Sequence, residues 1–319
     1  MNFDWSELAY AGKQPLRALR ATFIIAPRTL SSARLKQLMQ RYLPLGNIIL
    51  GIAKEPHIAG FEGQPQFAAC APGAVQALVK TISAAPSPHK LYTLQYFQRE
   101  LPYILEKITF PRVVGINGSW QRSFHLRPEY YLLANRHVPY ELLSPFASEA
   151  EAQQYADHFT AAHPPAPLPG STLDDRRLLD LAVAAGRQSF DYTHQTGAVL
   201  GKPSGTGYQP LLAAHNTVVP YETYAMHHGS VRELHFSPPN DLNHYDTVHA
   251  ETMLLLRAGE QRIALDGTSL FIPLLPCPTC ARMIAASGIR EIVYSLDHSD
   301  GYALRLFETC GKTVRRIVI

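Results

Sequence analysis

The sequence predicts an α/β protein built from two domains, and three observations lead to this prediction. Segments typical of buried strands alternate with segments of helical spacing over about the first 150 residues. A proline-rich stretch then interrupts the alternation, and after it strands and helices alternate again. We therefore predict an α/β domain at residues 1–158, a linker at residues 159–171 and a second α/β domain at residues 172–319.

The first domain is predicted to hold four strands rich in β-branched and aromatic residues. They lie at residues 21–27, 47–53, 90–97 and 112–116. Helices are predicted between them: one capped by Ser31 or Ser32, one near residues 74–83 and one near residues 100–108. This order favours a mostly parallel sheet flanked by helices. The segment G-I-N-G at residues 115–118 does not match a dinucleotide-binding glycine pattern, so no function is predicted for this half.

The predicted linker contains the sequence T-A-A-H-P-P-A-P-L-P-G at residues 160–170, with four prolines in eleven residues. Such a stretch is stiff and extended, which is typical of a domain boundary. Thr172 and Asp175 follow it in the spacing of a capping box, so a helix is predicted over residues 172–188.

The second domain is predicted to continue with strands and helices up to the end of the chain. Two strands are predicted at residues 196–200 and 210–216, joined by the glycine-rich turn 201–207. Three more are predicted at residues 269–273, 291–296 and 313–319. Its helices are predicted at residues 248–258, 276–286 and 300–310, the first ending at Gly259. Because a helix separates the last two strands, we expect those strands to run parallel.

Composition excludes several classes of protein. No run approaches eighteen uninterrupted apolar residues, so no membrane span is expected. The N-terminal sequence lacks the basic and apolar regions of a secretion signal, and a cytoplasmic protein is expected. A net charge of +3 without a dense stripe of lysine and arginine gives no support for a dedicated nucleic-acid binder. Cys70 and Cys310 are expected to be reduced thiols.

A metal site is predicted from H-A-E at residues 249–251 and P-C-P-T-C at residues 276–280. His249, Cys277 and Cys280 supply one imidazole and two thiolates, a ligand set suited to Zn²⁺. Three protein ligands leave a fourth tetrahedral position open, as in a catalytic site. Glu251 lies beside this set, where its carboxylate can move protons between water and a substrate.

The order H-x-E followed by P-C-x-x-C resembles the zinc-dependent cytidine/deoxycytidylate deaminase superfamily. The resemblance covers residues 171–319, and the parallel last strands are similar to the deoxycytidylate and transfer-RNA adenosine branches. It implies a cytidine-deaminase-like domain of three α/β/α layers around a mixed sheet. It also implies hydrolytic deamination with Zn²⁺, catalysed by Glu251, and assembly into a homodimer or larger ring.

The resemblance also suggests which residues contact the substrate. Ala198 stands in a G-A-V segment similar to the one that lines the base pocket, and the backbone of Ala250 is expected to hold the base edge together with that of Cys277. Asn216 matches an asparagine that hydrogen-bonds the sugar or the base, although a turn residue after a strand is the alternative interpretation.

Residues 221–247 form an insert with four histidines ahead of the metal motif. A second metal site or a phosphate-binding site is one interpretation, and a mobile loop over the pocket is the preferred one. His244 and Tyr245 lie closest to the motif in sequence, so we predict that they contact the substrate.

The predicted activity is deamination of cytosine to uracil in a nucleotide. An editing deaminase acting on transfer RNA or single-stranded nucleic acid is the alternative, with residues 1–158 as its strand-binding surface. The sequence ends at its last predicted strand, without the C-terminal helix common in transfer-RNA editors, which favours the small substrate. A binding module that keeps zinc only for folding is a third hypothesis.

Overall fold

The computed structural model describes residues 19–84, 86–165, 168–238 and 241–318. Two compact units are present. Unit 1 comprises the described part of residues 1–154 together with Tyr224–His244, and unit 2 comprises residues 155–223 and 245–318. Among the described residues, no helix is long and apolar enough to cross a membrane.

Unit 1 is built on a five-stranded sheet in the order β3-β2-β1-β4-β5, with all neighbouring strands parallel. The strands are β1 (Ala21–Ile25), β2 (Asn47–Ala53), β3 (Leu91–Tyr96), β4 (Arg112–Ile116) and β5 (Tyr140–Leu143). The helices between and after them are α1 (Ser32–Tyr42), α2 (Pro72–Ala84), α3 (Leu101–Lys107), α4 (Pro128–Asn135) and α5 (Glu149–Ala162), whose residues from Tyr155 onward belong to unit 2. The parallel α/β architecture expected for this half is confirmed.

The central strands are buried on both faces, as their continuous apolar sequences predict. One face packs against α3, whose Leu101, Ile104 and Leu105 are buried, and the other packs against α1. Helix α1 begins where expected, because the Ser31 hydroxyl accepts a hydrogen bond from the Arg34 N–H at 2.9 Å.

The insert folds onto unit 1 and contains two short helices, α7 (Tyr224–His228) and α8 (Val231–His235). Its Glu233 carboxylate lies 2.6 Å from Nδ1 of His125, and its His227 carbonyl accepts a hydrogen bond from Asn117. The segment at residues 221–247 is therefore partly helical, which the sequence did not predict, and its role as a mobile loop over the pocket stays a prediction. The pairings that hold the insert join residues about a hundred positions apart, which local sequence patterns do not reveal.

Unit 2 holds a second five-stranded sheet, in the order β12-β11-β10-β6-β7. Its strands are β6 (Gly197–Ser204), β7 (Gly207–His215), β10 (Ser269–Leu274), β11 (Glu291–Leu296) and β12 (Thr313–Arg316), and β8 (Thr217–Val218) pairs separately with β9 (Thr247–Val248). Its helices are α6 (Asp175–Gly186), α9 (Ala250–Glu260), α10 (Pro278–Ala286) and α11 (Tyr302–Thr309). Strands β10, β11 and β12 run parallel while β6 is antiparallel to both of its neighbours, so the predicted mixed sheet is confirmed.

The sheet of unit 2 lies between two layers of helix. Leu178, Leu179 and Ala182 of α6 pack against one face of the sheet. Helices α9, α10 and α11 cover the other face, with Leu254, Ile284 and Phe307 among their fully buried side chains. This is the three-layer α/β/α arrangement that the resemblance implies.

Two predicted helix starts are corrected by the structure. Helix α6 is capped by Asp174, whose Oδ1 accepts from the Arg177 N–H at 2.8 Å, and not by Thr172. Helix α9 begins at Ala250 and not at residue 248, because His249 has extended backbone angles and stands at the N-cap position. It then runs past Gly259 to Glu260.

The basic side chains near the end of the sequence bind other parts of unit 2. The Arg315 guanidinium pairs with both carboxylate oxygens of Asp175 at 2.8 Å and with Glu291 at 2.7 Å. The Lys312 ammonium donates to the carbonyls of Ser287 and Ile289. These cations stabilise the edge of the sheet and the adjoining helix.

Candidate metal centre

Three potential metal ligands converge in unit 2. The Nδ1 atom of His249 lies 3.6 Å from the Sγ atoms of both Cys277 and Cys280, and all three ligand atoms lie within 4.8 Å of one another. Nitrogen and sulfur ligands of a tetrahedral zinc ion lie about 3.6 Å apart, given the usual zinc–ligand bond lengths. The donor set and its spacing therefore fit zinc, with one coordination position left for another ligand.

The start of α10 positions the two thiols. Cys277 is the N-cap residue, Pro278 occupies the first turn without needing a hydrogen bond, and the Cys280 N–H points to the Cys277 sulfur at 3.5 Å. The hydrogen bond from the Cys280 thiol and the neighbouring His249 ring lower the pKa of Cys277 well below its usual range. Cys277 therefore loses its proton before Cys280 does. The hydrogen bond between the two sulfur atoms raises the pKa of Cys280.

His249 is held by the short β8–β9 pairing and by Asn216. Strand β9 ends one residue before His249, and its partner β8 begins one residue after Asn216. The Asn216 side chain accepts a hydrogen bond from the Ala250 N–H at 2.8 Å and donates one to the His194 carbonyl at 3.0 Å. The imidazole therefore projects from a backbone that is fixed on both sides.

Glu251 lies in the first turn of α9 and is almost fully buried, with 4% of its surface exposed. Burial raises the pKa of this carboxyl group to about 7, because the charged form loses its hydration. The charge of His249 lowers the pKa of Glu251, and that of Cys277 raises it. A hydrogen bond with Cys280 also lowers this pKa. A carboxyl group with a pKa near neutrality can both accept and release a proton, as a general acid–base requires.

The residues predicted to contact substrate fall in different surroundings. Ala198 and Ala250 are fully buried in the core of unit 2, and the Ala250 N–H is already bonded to Asn216. The ring of Tyr245 lies 4.9 Å from that of His249, edge to face. His244 belongs to unit 1, where it hydrogen-bonds to Ser237. The substrate contacts of all five residues, Asn216 included, stay predictions.

Two further residues act on the centre and were not found from the sequence. Asp191 is buried; its Oδ1 accepts from the N–H groups of Thr193 and His194, and its Oδ2 accepts from the Thr247 hydroxyl at 3.1 Å. It therefore anchors the strand that leads to His249. His298, in the loop after β11, interacts electrostatically with Cys277 and His249. No motif marks either residue, since each reaches the centre through the folded chain.

Replacing Asn216 with alanine is expected to lower the free energy of unfolding by about 2 kcal/mol, because the buried Ala250 N–H and His194 carbonyl lose their partners. Chemical denaturation of the zinc-loaded protein would measure this, with the exposed Asn243→Ala as the matched control. Unchanged stability combined with a raised KM would contradict this supporting role and favour the predicted contact with substrate.

Comparison with known proteins places the second unit in a family. Deoxycytidylate deaminase of Mycobacterium phage D29 is 33% identical over 132 residues, which cover 38% of this chain and 92% of that protein. The chain belongs to the cytidine and deoxycytidylate deaminase family. The family's zinc-binding region matches residues 173–296, which include His249, Glu251, Cys277 and Cys280.

Other similarities to this deaminase-family chain are more limited. Deoxycytidylate deaminase of Enterobacteria phage T4 is 29% identical over 114 residues, covering 35% of this chain, and the chain spans 55% of that enzyme's length. The apo crystal structure of dCMP deaminase from cyanophage S-TIM5 is similar over 45% of this chain and 96% of its own, with 18% identity and a TM-score of 0.32.

Proposed function

We propose that the chain is a zinc-dependent hydrolytic deaminase that converts cytosine to uracil in a nucleotide. The observation that supports this most directly is the spacing of His249, Cys277 and Cys280, with the buried Glu251 carboxyl group beside them. A structural zinc site would use four protein ligands and would have no role for that carboxyl group. Relatives named as deoxycytidylate deaminases support the choice of substrate.

His249, Cys277 and Cys280 would hold the zinc ion, which supplies the Lewis acidity that makes water nucleophilic at neutral pH. Glu251 accepts a proton from the attacking water and delivers it to the ring nitrogen next to the amino-bearing carbon. It then transfers a second proton from the added hydroxyl group to the departing amino group. Water and the aminopyrimidine thereby give ammonia and the carbonyl product, and Glu251 returns to its starting state.

The surroundings of Glu251 suit this proton transfer. Burial raises its pKa to about 7, so both the ionised and the protonated form are accessible near physiological pH. Its position in the first turn of α9 also restricts its movement, and His249, the N-cap residue of the same helix, lies two residues before it in the chain. Tyr245, packed against the His249 ring, is proposed to border the bound base.

Ammonia release by the purified, zinc-loaded protein tests the proposal. One set of reactions contains cytosine, adenine and guanine nucleosides and nucleotides, and a second contains transfer RNA and single-stranded DNA. We expect turnover in the first set, greatest with deoxycytidylate. Turnover only in the second set would replace the proposed substrate with a polynucleotide, and no ammonia from either set would overturn the proposed activity.

A further inference from the structure

The two thiols of the metal centre receive their hydrogen bonds from different parts of unit 2. The sulfur of Cys277 faces the backbone N–H of Cys280 at 3.5 Å, a contact made within the start of helix α10. The sulfur of Cys280 lies 3.6 Å from the hydroxyl oxygen of Thr252, a residue of helix α9. The backbone thus serves the first sulfur, whereas the second depends on a side chain that a single substitution can remove.

The direction of the second hydrogen bond follows from the chemistry of a metal ligand. A cysteine binds zinc as the thiolate, which carries no proton. With zinc bound, the sulfur of Cys280 therefore accepts the hydrogen bond and the Thr252 hydroxyl group donates it. Cys280 is only 3% exposed, so water has little access to its sulfur and a protein donor has to stabilise the negative charge.

Other groups beside the Cys280 sulfur are less suited to this task. Nδ1 of His249, also at 3.6 Å, and the sulfur of Cys277 belong to the candidate ligand set and carry no proton when they bind the metal. The carboxyl group of Glu251 hydrogen-bonds to Cys280 as well, but its proton is the one that the proposed reaction moves. The Thr252 hydroxyl group is therefore the donor that keeps its proton throughout.

The hydroxyl group of Thr252 is directed to this sulfur and not to its own helix. A threonine within a helix often bonds to the carbonyl group one turn earlier. In the described part of the chain, the Cys280 sulfur is instead the hydrogen-bond partner of the Thr252 hydroxyl group. Threonine is also a poorer helix former than alanine or leucine, so helix formation does not explain its presence here.

We propose that Thr252 is a positioning residue of the metal centre, whose hydroxyl group holds the Cys280 thiolate in place across helices α9 and α10. The hydrogen bond fixes the orientation of the sulfur and stabilises its negative charge, so that metal binding competes better with protonation of the thiol. Thr252 acts through Cys280 and not on the substrate. The inference rests on the proposed zinc centre and is independent of which base is deaminated.

Zinc affinity of the full-length protein, measured by competition with a chromophoric chelator, tests this role. Thr252→Val keeps the shape of the side chain but removes the donor, and it is expected to weaken zinc binding about tenfold, as loss of a partner of a metal ligand does. Thr252→Ser keeps the hydroxyl group and should bind zinc as the wild type does. Thr309→Val is the matched control, since the exposed Thr309 hydroxyl group bonds to the Arg305 carbonyl of its own helix.

Cobalt(II) in place of zinc gives a second measurement that a purely structural role would not change. A hydrogen bond lowers the energy of the sulfur lone pairs, so its loss in Thr252→Val should move the thiolate-to-cobalt absorption band to longer wavelength. Thr252→Ser should keep the band of the wild type.

The outcomes separate this role from the proposed function. Equal zinc affinity and an unchanged cobalt band in Thr252→Val would overturn the role of Thr252 alone, and so would equal losses in Thr252→Val and Thr252→Ser, which would indicate packing. A wild-type protein that binds no zinc would overturn the metal centre and this role together. If the expected differences appear but the wild type releases no ammonia, the role of Thr252 is supported and the proposed deamination is overturned.

Discussion

Replacing Glu251 with glutamine is expected to abolish ammonia release while leaving the zinc content unchanged. Glutamine preserves the size and burial of the side chain but cannot accept the proton of water. General acid–base catalysis contributes roughly 10²–10⁴-fold to the rate of a reaction. Because Glu251 is proposed to transfer protons at more than one step, we expect a loss of kcat at or above the upper end of that range.

Zinc content by atomic absorption and ammonia release by a coupled assay would be measured on the same preparations. Glu260→Gln is a matched control, since this exposed glutamate ends the same helix. Substantial activity in Glu251→Gln would remove Glu251 from the catalytic role. Loss of zinc from that variant would instead show that the carboxyl group supports the metal centre.

The metal centre was predictable because its residues lie in two short, ordered motifs. H-A-E and P-C-P-T-C each impose a local geometry, and the proline between the cysteines places both thiols at a helix start. The parallel strands were predictable for a related reason. Continuous apolar segments separated by helices leave few other arrangements in a sheet that is buried on both sides.

Other features depend on contacts that no local pattern encodes. Strand β5 is four residues long and half-buried, without β-branched residues, so neither periodicity nor composition reveals it. The pairing of Glu233 with His125 joins residues 108 positions apart, and it fixes the insert to unit 1. Asn216 was identified by its resemblance to a substrate contact, whereas the structure shows its side chain bonded to Ala250 and His194.

Replacing Cys277 with serine is expected to remove the zinc ion and to destabilise unit 2. Serine is a good N-cap residue, so the start of α10 that Cys277 now caps should be retained. The lost stability is therefore that of metal binding, which stabilises the folded state by about 4 kcal/mol when free zinc exceeds its Kd a thousandfold.

The decisive measurement compares the stability of two proteins that lack zinc. Wild-type protein treated with a chelator should unfold at nearly the same denaturant concentration as Cys277→Ser, and added zinc should stabilise only the wild type. Cys310→Ser, which alters an exposed free cysteine, should behave as the wild type in both conditions. If Cys277→Ser kept its zinc, or if zinc left the stability of the wild type unchanged, the three converging side chains would not form the metal site that the deaminase mechanism requires.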